Sequence, residues 1–97
     1  MIPGGLSEAR SATPEVQEIA DQVKPQLEEE TNEKYEQFKA VEYKTQVVAG
    51  INYFIKINVG GGRFTHIKVF KDLSGEDHFE LTGYQTNKTK NDELTYF

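Results

Sequence analysis

The stretch from Ile51 to Val59 places Ile51, Tyr53, Ile55, Ile57 and Val59 on one side of an extended chain. A strand with one apolar face has to bury it against another layer, which restricts the folds open to the whole chain. One other segment offers a matching surface. Val16, Ile19, Ala20, Val23 and Leu27 recur at helical spacing, with Glu15, Glu18, Asp21, Gln22 and Glu29 opposite them. Thr13-Pro14-Glu15 supplies the start of that helix: a hydroxyl cap, a proline whose missing N–H costs nothing in the first turn, and an acid near the positive end of the dipole. Pro25 interrupts the pattern and predicts a bend, because the apolar stripe resumes in phase at Leu27.

After Tyr35 and Phe38, which continue the buried side, the period becomes two. Val41, Tyr43, Thr45 and Val47 are expected on the core face of a strand, with Glu42, Lys44 and Gln46 opposite. Gly60-Gly61-Gly62 closes the next strand as a hairpin turn; no Lys-Ser or Lys-Thr follows it to make a phosphate cradle. A third strand covers Arg63 to Lys71, with Thr65, Ile67 and Val69 inward, and a fourth covers Phe79 to Thr86. Leu94-Thr-Tyr-Phe97 is expected to dock its aromatics on the body. One helix followed by antiparallel strands is an α+β pattern, with the sheet wrapped around the helix. The 97 residues form a single domain, 1–97, and residues 1–12, with two glycines and a proline but no period, read as a mobile arm.

Charge and composition remove several functions. A net charge of -5, with Glu28, Glu29 and Glu30 in a row, opposes the phosphate contacts that dominate nucleic-acid binding. No stretch approaches the roughly 18 apolar residues of a membrane span, and MIPGGLSEAR lacks the basic start and apolar run of a secretion signal, so a cytoplasmic protein is expected. The absence of cysteine excludes disulfides, thiolate catalysis and zinc-thiolate sites. His66 is read as a solvated histidine on the outer face of its strand. His78, beside Glu76 and Asp77, has no second ligand cluster with which to hold a metal. No catalytic residue, metal or cofactor is expected.

What the pattern leaves over is apolar matter where water should be. Ile2-Pro3-Gly4-Gly5-Leu6 lies in the arm, Val47-Val48-Ala49-Gly50 at a hairpin tip, and Leu73 in a later loop. Consecutive Val47 and Val48 point to opposite sides, so both cannot enter one core. In an up-and-down sheet both loops lie at the same end, and the arm can join them as one exposed contact edge.

These residues resemble the type 1 cystatins, or stefins, intracellular inhibitors of papain-like cysteine proteases. The similarity runs along essentially the whole chain: MIPGGLSEAR, VKPQLEEETNEKY and YKTQVVAG are close to one branch of the family, and ADQV, NYFIK and YQTNKTKNDELTYF to another, so the chain reads as a mosaic. The resemblance implies a cystatin-like, five-stranded antiparallel sheet around one long N-terminal helix, with a short strand before Thr13. It also implies reversible, tight binding to cathepsins, the arm (Ile2, Pro3, Gly4, Gly5) on the unprimed side of the cleft and the two loops (Gln46, Val47, Val48, Ala49, Gly50; Leu73, Ser74) on the primed side. The active form is expected to be a monomer, with a domain-swapped dimer available if the hairpin opens.

Five features depart from the family pattern. Ser74 stands where the family usually has proline and the second loop is one residue short, while Ser11, Ile51 and Gly61-Gly62 are unusual. A proline lost from a binding loop costs about 0.4–1 kcal/mol through the free state. The alternative reading is therefore an engineered or reconstructed stefin-type binding scaffold with altered loops and reduced inhibition.

Overall fold

The structure, a computed structural model, describes residues 5–74 and 78–97. The elements follow in the order β1 (Arg10–Ser11), α1 (Pro14–Thr31), β2 (Lys39–Val48), β3 (Gly50–Gly60), β4 (Arg63–Lys71) and β5 (Phe79–Lys88). The five strands form one antiparallel sheet in sequence order, with β1 pairing to β2 across the intervening helix. This matches the expected α+β, cystatin-like architecture.

The helix starts where its cap chemistry places it. Thr13 is extended, and its hydroxyl accepts the Val16 N–H at 3.2 Å. At the other end Asn32 adopts the left-handed conformation, φ 56°, and its N–H returns to the Glu28 carbonyl. Pro25 lies inside one continuous helix, on its exposed face. Val16, Ile19, Ala20, Val23 and Leu27 are all buried against Ile55, Ile57, Ile67 and Val69, as the periods of helix and strands require. Burying side chains of this size contributes about 1.5–3 kcal/mol each, which outweighs the single hydrogen bond that Pro25 removes.

Two helix glutamines stitch α1 to both sides of the sheet. The Gln17 amide donates to the Phe38 carbonyl at 3.0 Å and accepts the Ala40 N–H at 2.8 Å. Gln26 repeats the arrangement on β5, donating to the Phe79 carbonyl at 3.4 Å and accepting the Leu81 N–H at 3.1 Å. Each side-chain amide satisfies strand backbone as a neighbouring strand would.

One strand face differs from expectation. The register of β2 against β3 shifts between Ala40 and Glu42, so Val41 is the extra residue of a bulge. Ala40 and Tyr43 therefore both face the helix, and Val41 lines an outer groove with Glu42, Lys56, Asn58, Phe64 and Lys90. The arm also differs from the mobile segment expected over 1–12. From Ser7 onward it is tied to β2, through hydrogen bonds at Ser7 and Ala12 and the two-residue strand between them.

The outer face of the sheet is covered by the chain after β5. Three lysines on that face each donate to a carbonyl of the C-terminal segment: Lys56 to Lys90 at 3.0 Å, Lys44 to Leu94 at 2.7 Å and Lys68 to Phe97 at 3.2 Å. Beneath it Leu94 is fully buried, and Phe54 meets Tyr96 and Phe97 with ring centroids 6.0 and 5.5 Å away. The expected docking of the last aromatics is thus observed.

His66, expected in solvent, does lie on the outer face, but it is fully buried there. Neither ring nitrogen has a hydrogen-bond partner among the described residues. Loss of water, reinforced by the positive charges of Lys56 and Lys88 and only partly offset by Asp92, lowers its pKa from 6.5 to about 4. The folded state therefore favours the neutral imidazole. The resulting stability is complete above pH 6.5 and is lost as pH falls from there toward 4, a loss of roughly 2–3 kcal/mol. Urea unfolding at pH 7.5 and pH 4.5 should show this loss in the wild-type chain and a clearly smaller one in His66→Leu; parallel pH profiles would refute the assignment.

Candidate functional site

Strand register brings the two loops together. Val47 pairs with Ile51, Ile51 with Lys71, and Lys71 with Phe79, so one row crosses the sheet from the first hairpin to the start of the second loop. Val47 and Lys71 are two strand spacings apart, about 10 Å. The turn at Gly60 to Arg63 closes the sheet's opposite end.

At the tip, Val48 pairs with Gly50 and Ala49 alone makes the bend. Val47 is 72% exposed and Val48 42%, although Val47 is in phase with the inward residues of β2. The hairpin runs past the buried core, so both of its faces meet water there. Gln46 is buried just behind the tip, where its carbonyl oxygen accepts the Asn52 side-chain N–H at 2.9 Å. This cross-strand pair holds the last ordered row beneath the valines.

Gly50 is required twice over. Its φ is +137°, a conformation side chains avoid, and a Cβ there would stand 2.5 Å from the Lys71 carbonyl oxygen and 2.7 Å from the Phe70 ring. The missing side chain lets the root of the first hairpin lie flat on the end of β4, from which the second loop departs. The turn geometry expected of Gly50 is present, and the packing against Phe70 is a role that sequence reasoning missed.

In the second loop Leu73 is 75% exposed. The Asp72 carboxylate accepts both the backbone N–H of Ser74 at 3.0 Å and its hydroxyl at 2.6 Å. These bonds hold the Asp72 pKa below the usual carboxylate value. Where a proline would restrain the loop covalently, an aspartate and a serine restrain it by hydrogen bonding. Residues 75–77, with Glu76 and Asp77, lie outside the described residues, and His78 is exposed.

The arm reaches the same end. Gly5 is exposed, and Ser7 is bonded to Thr45, two residues from Val47. Ile2, Pro3 and Gly4 lie outside the described residues. Of the residues singled out in the sequence, the register thus places Gln46 to Gly50, Leu73 and Ser74 at one end of the sheet, and Gly5 lies two residues before the bonded Ser7. Ser7, Asn52 and Phe70 support them and were not anticipated; pairing β2 with β3 on paper would have placed Asn52 opposite Gln46.

No described group of three His, Asp or Glu side chains is arranged to hold a metal. A polar concavity of about 360 Å³, lined by Glu33, Tyr35, Arg63 and Tyr84 among others, lies toward the Gly60 to Arg63 turn and is remote from the displayed valines.

Comparison with known proteins agrees. The Cystatin domain family matches residues 4–91. The chain is 84% identical over 97 residues to Cystatin-A of Mus musculus, covering all of both chains, and 63% identical over 98 residues to Cystatin-A of Homo sapiens, again with full coverage. Stefin-2 of Mus musculus is 71% identical over 96 residues, 99% of this chain and 93% of the relative. The chain belongs to the cystatins, a family of cysteine-protease inhibitors and not of enzymes, and within it to the type 1 branch, the stefins.

Gly50→Ala should cost at least about 2 kcal/mol of stability and displace the amide resonances of Phe70 and Lys71. Urea unfolding and two-dimensional NMR check this; a variant with wild-type stability would show that the close approach is dispensable.

Proposed function

We propose that the chain is a reversible, tight-binding inhibitor of papain-like cysteine proteases, cathepsins among them, and works by occluding the active-site cleft. The observation that carries this reading is the exposure of Val47, Val48 and Leu73 at one end of a sheet whose register holds both loops in a single row. Apolar side chains kept in water at that position have no use within the chain. Burying each valine in a cleft is worth about 1.5–3 kcal/mol.

Rigidity adds to the affinity. The first hairpin is braced by the Gln46 to Asn52 bond and by Gly50 against β4, and the second loop by Asp72 and Ser74. Little ordering entropy remains for the complex to absorb. In the arm, Ile2 and Pro3 fill apolar substrate pockets on the unprimed side, and Gly4 and Gly5 allow close approach of the backbones. The loops occupy the primed side. The wedge presents side chains and a tight turn in place of an extended peptide, so the protease thiolate is covered without being offered a bond to cut.

The protein acts as a monomer inside cells in this reading. If the tip at Ala49 opens, β2 and β3 can join into one long strand and exchange halves between two chains, which dismantles the valine display. The bonded second loop supports inhibition over the reading of a disabled scaffold, because Ser74 keeps the loop restrained without proline.

Titration of active papain and of a cathepsin tests the proposal: stoichiometric loss of protease activity is expected, and no inhibition at micromolar protein would sink it. Val48→Asp should raise the inhibition constant at least about tenfold with unchanged thermal unfolding, since it removes apolar burial and strands a charge in the cleft.

A further inference from the structure

Ser7 is joined to β2 in an uncommon way. Its backbone N–H donates to the Thr45 carbonyl at 2.8 Å, while the Thr45 N–H is taken at 2.9 Å by the Ser7 hydroxyl and not by the Ser7 carbonyl. The same hydroxyl donates to the Glu8 carbonyl at 3.0 Å. Side-chain oxygen thus replaces backbone oxygen in what would otherwise be an ordinary strand pair.

The register shows what this substitution does. Further along, Arg10 pairs with Tyr43 and Ser11 with Glu42, a spacing that would set Glu8 opposite Thr45. Ser7 stands there instead, so Glu8 and Ala9 together face Lys44, the two-against-one count of a bulge. Bulges turn a strand and end its pairing. Among the described residues Ser7 is the first hydrogen-bonded to β2, and it meets that strand two residues short of Val47.

We infer that Ser7 is a positioning residue for protease binding: its hydroxyl clamps the root of the arm to Thr45, two residues from Val47. This inference rests on the proposed inhibition of cysteine proteases. An arm of six residues released from that clamp would search a wider volume and would have to be ordered anew in each encounter, so its contribution to affinity would fall. The hairpin itself would stay intact, because β3 and the Asn52 to Gln46 bond hold it independently of Ser7.

The test is a two-by-two comparison of inhibition of active papain, in which Ser7→Ala is made in the full chain and in a chain beginning at Leu6. Loss of one hydrogen bond predicts an inhibition constant about three- to tenfold higher for Ser7→Ala in the full chain, through faster dissociation, and no change in the shortened chain. Ser7→Thr, which keeps the hydroxyl, should restore wild-type inhibition. Faster amide exchange at Thr45 in Ser7→Ala, with unchanged thermal unfolding, would locate the effect. The inference is overturned if Ser7→Ala inhibits as well as the wild type, if it loses equally in both backgrounds, or if deletion of the arm leaves inhibition unchanged. Failure of the wild-type chain to inhibit at all is a different result: it overturns the proposed function, and the inference with it.

Discussion

The fit of one helix stripe against one sheet face is the contact on which everything else in this protein depends. Val16, Ile19, Ala20, Val23 and Leu27 bury themselves on Ile55, Ile57, Ile67 and Val69, and among the described residues no second helix shares the task. Hydrophobic burial of this kind is strong but has little directionality, and by itself would let the helix slide or rotate on the sheet. Gln17 and Gln26 supply the direction. Spaced along α1, they bind the backbone of β2 and β5, the strands on either side of the central pair, and so fix where the helix sits across the sheet's width.

A single helix can cover only one face, so the opposite face needs its own cover, and the C-terminal segment provides it. Lysines 44, 56 and 68 act there less as surface charges than as hydrogen-bond donors to main-chain carbonyls, with their aliphatic stems lying along the sheet. The cover has a consequence for His66, which becomes a neutral, desolvated ring between cationic neighbours. Polar residue types that look solvated in an alternating pattern are thereby part of the interior.

With a cover on each face, the sheet leaves apolar side chains in water at one end. Val47, Val48 and Leu73 remain outside the core because the strands extend beyond the helix that would otherwise cover them. Register, Gly50 and the Asp72 to Ser74 bonds hold them there. The departures from the usual family pattern at Ser74 do not remove the loop's restraint but change its chemistry.

Much of this was legible in the residues alone. The cap at Thr13, the stripe of α1, the inward set of β3 and the misplaced apolar tip are local matters, written in spacings of two and 3.6 and in residue types that tolerate few backbone conformations. The phase of Val41, the burial of His66, the sheet-binding role of Gln17 and Gln26 and the hydroxyl clamp at Ser7 were not, since each depends on a partner far away in sequence. Period tells which side of a strand a residue occupies, but only the assembled tertiary structure decides what covers that side. His66 faces outward in both readings, and it is buried there, with Asp92 of the distant segment after β5 close enough to act on its charge.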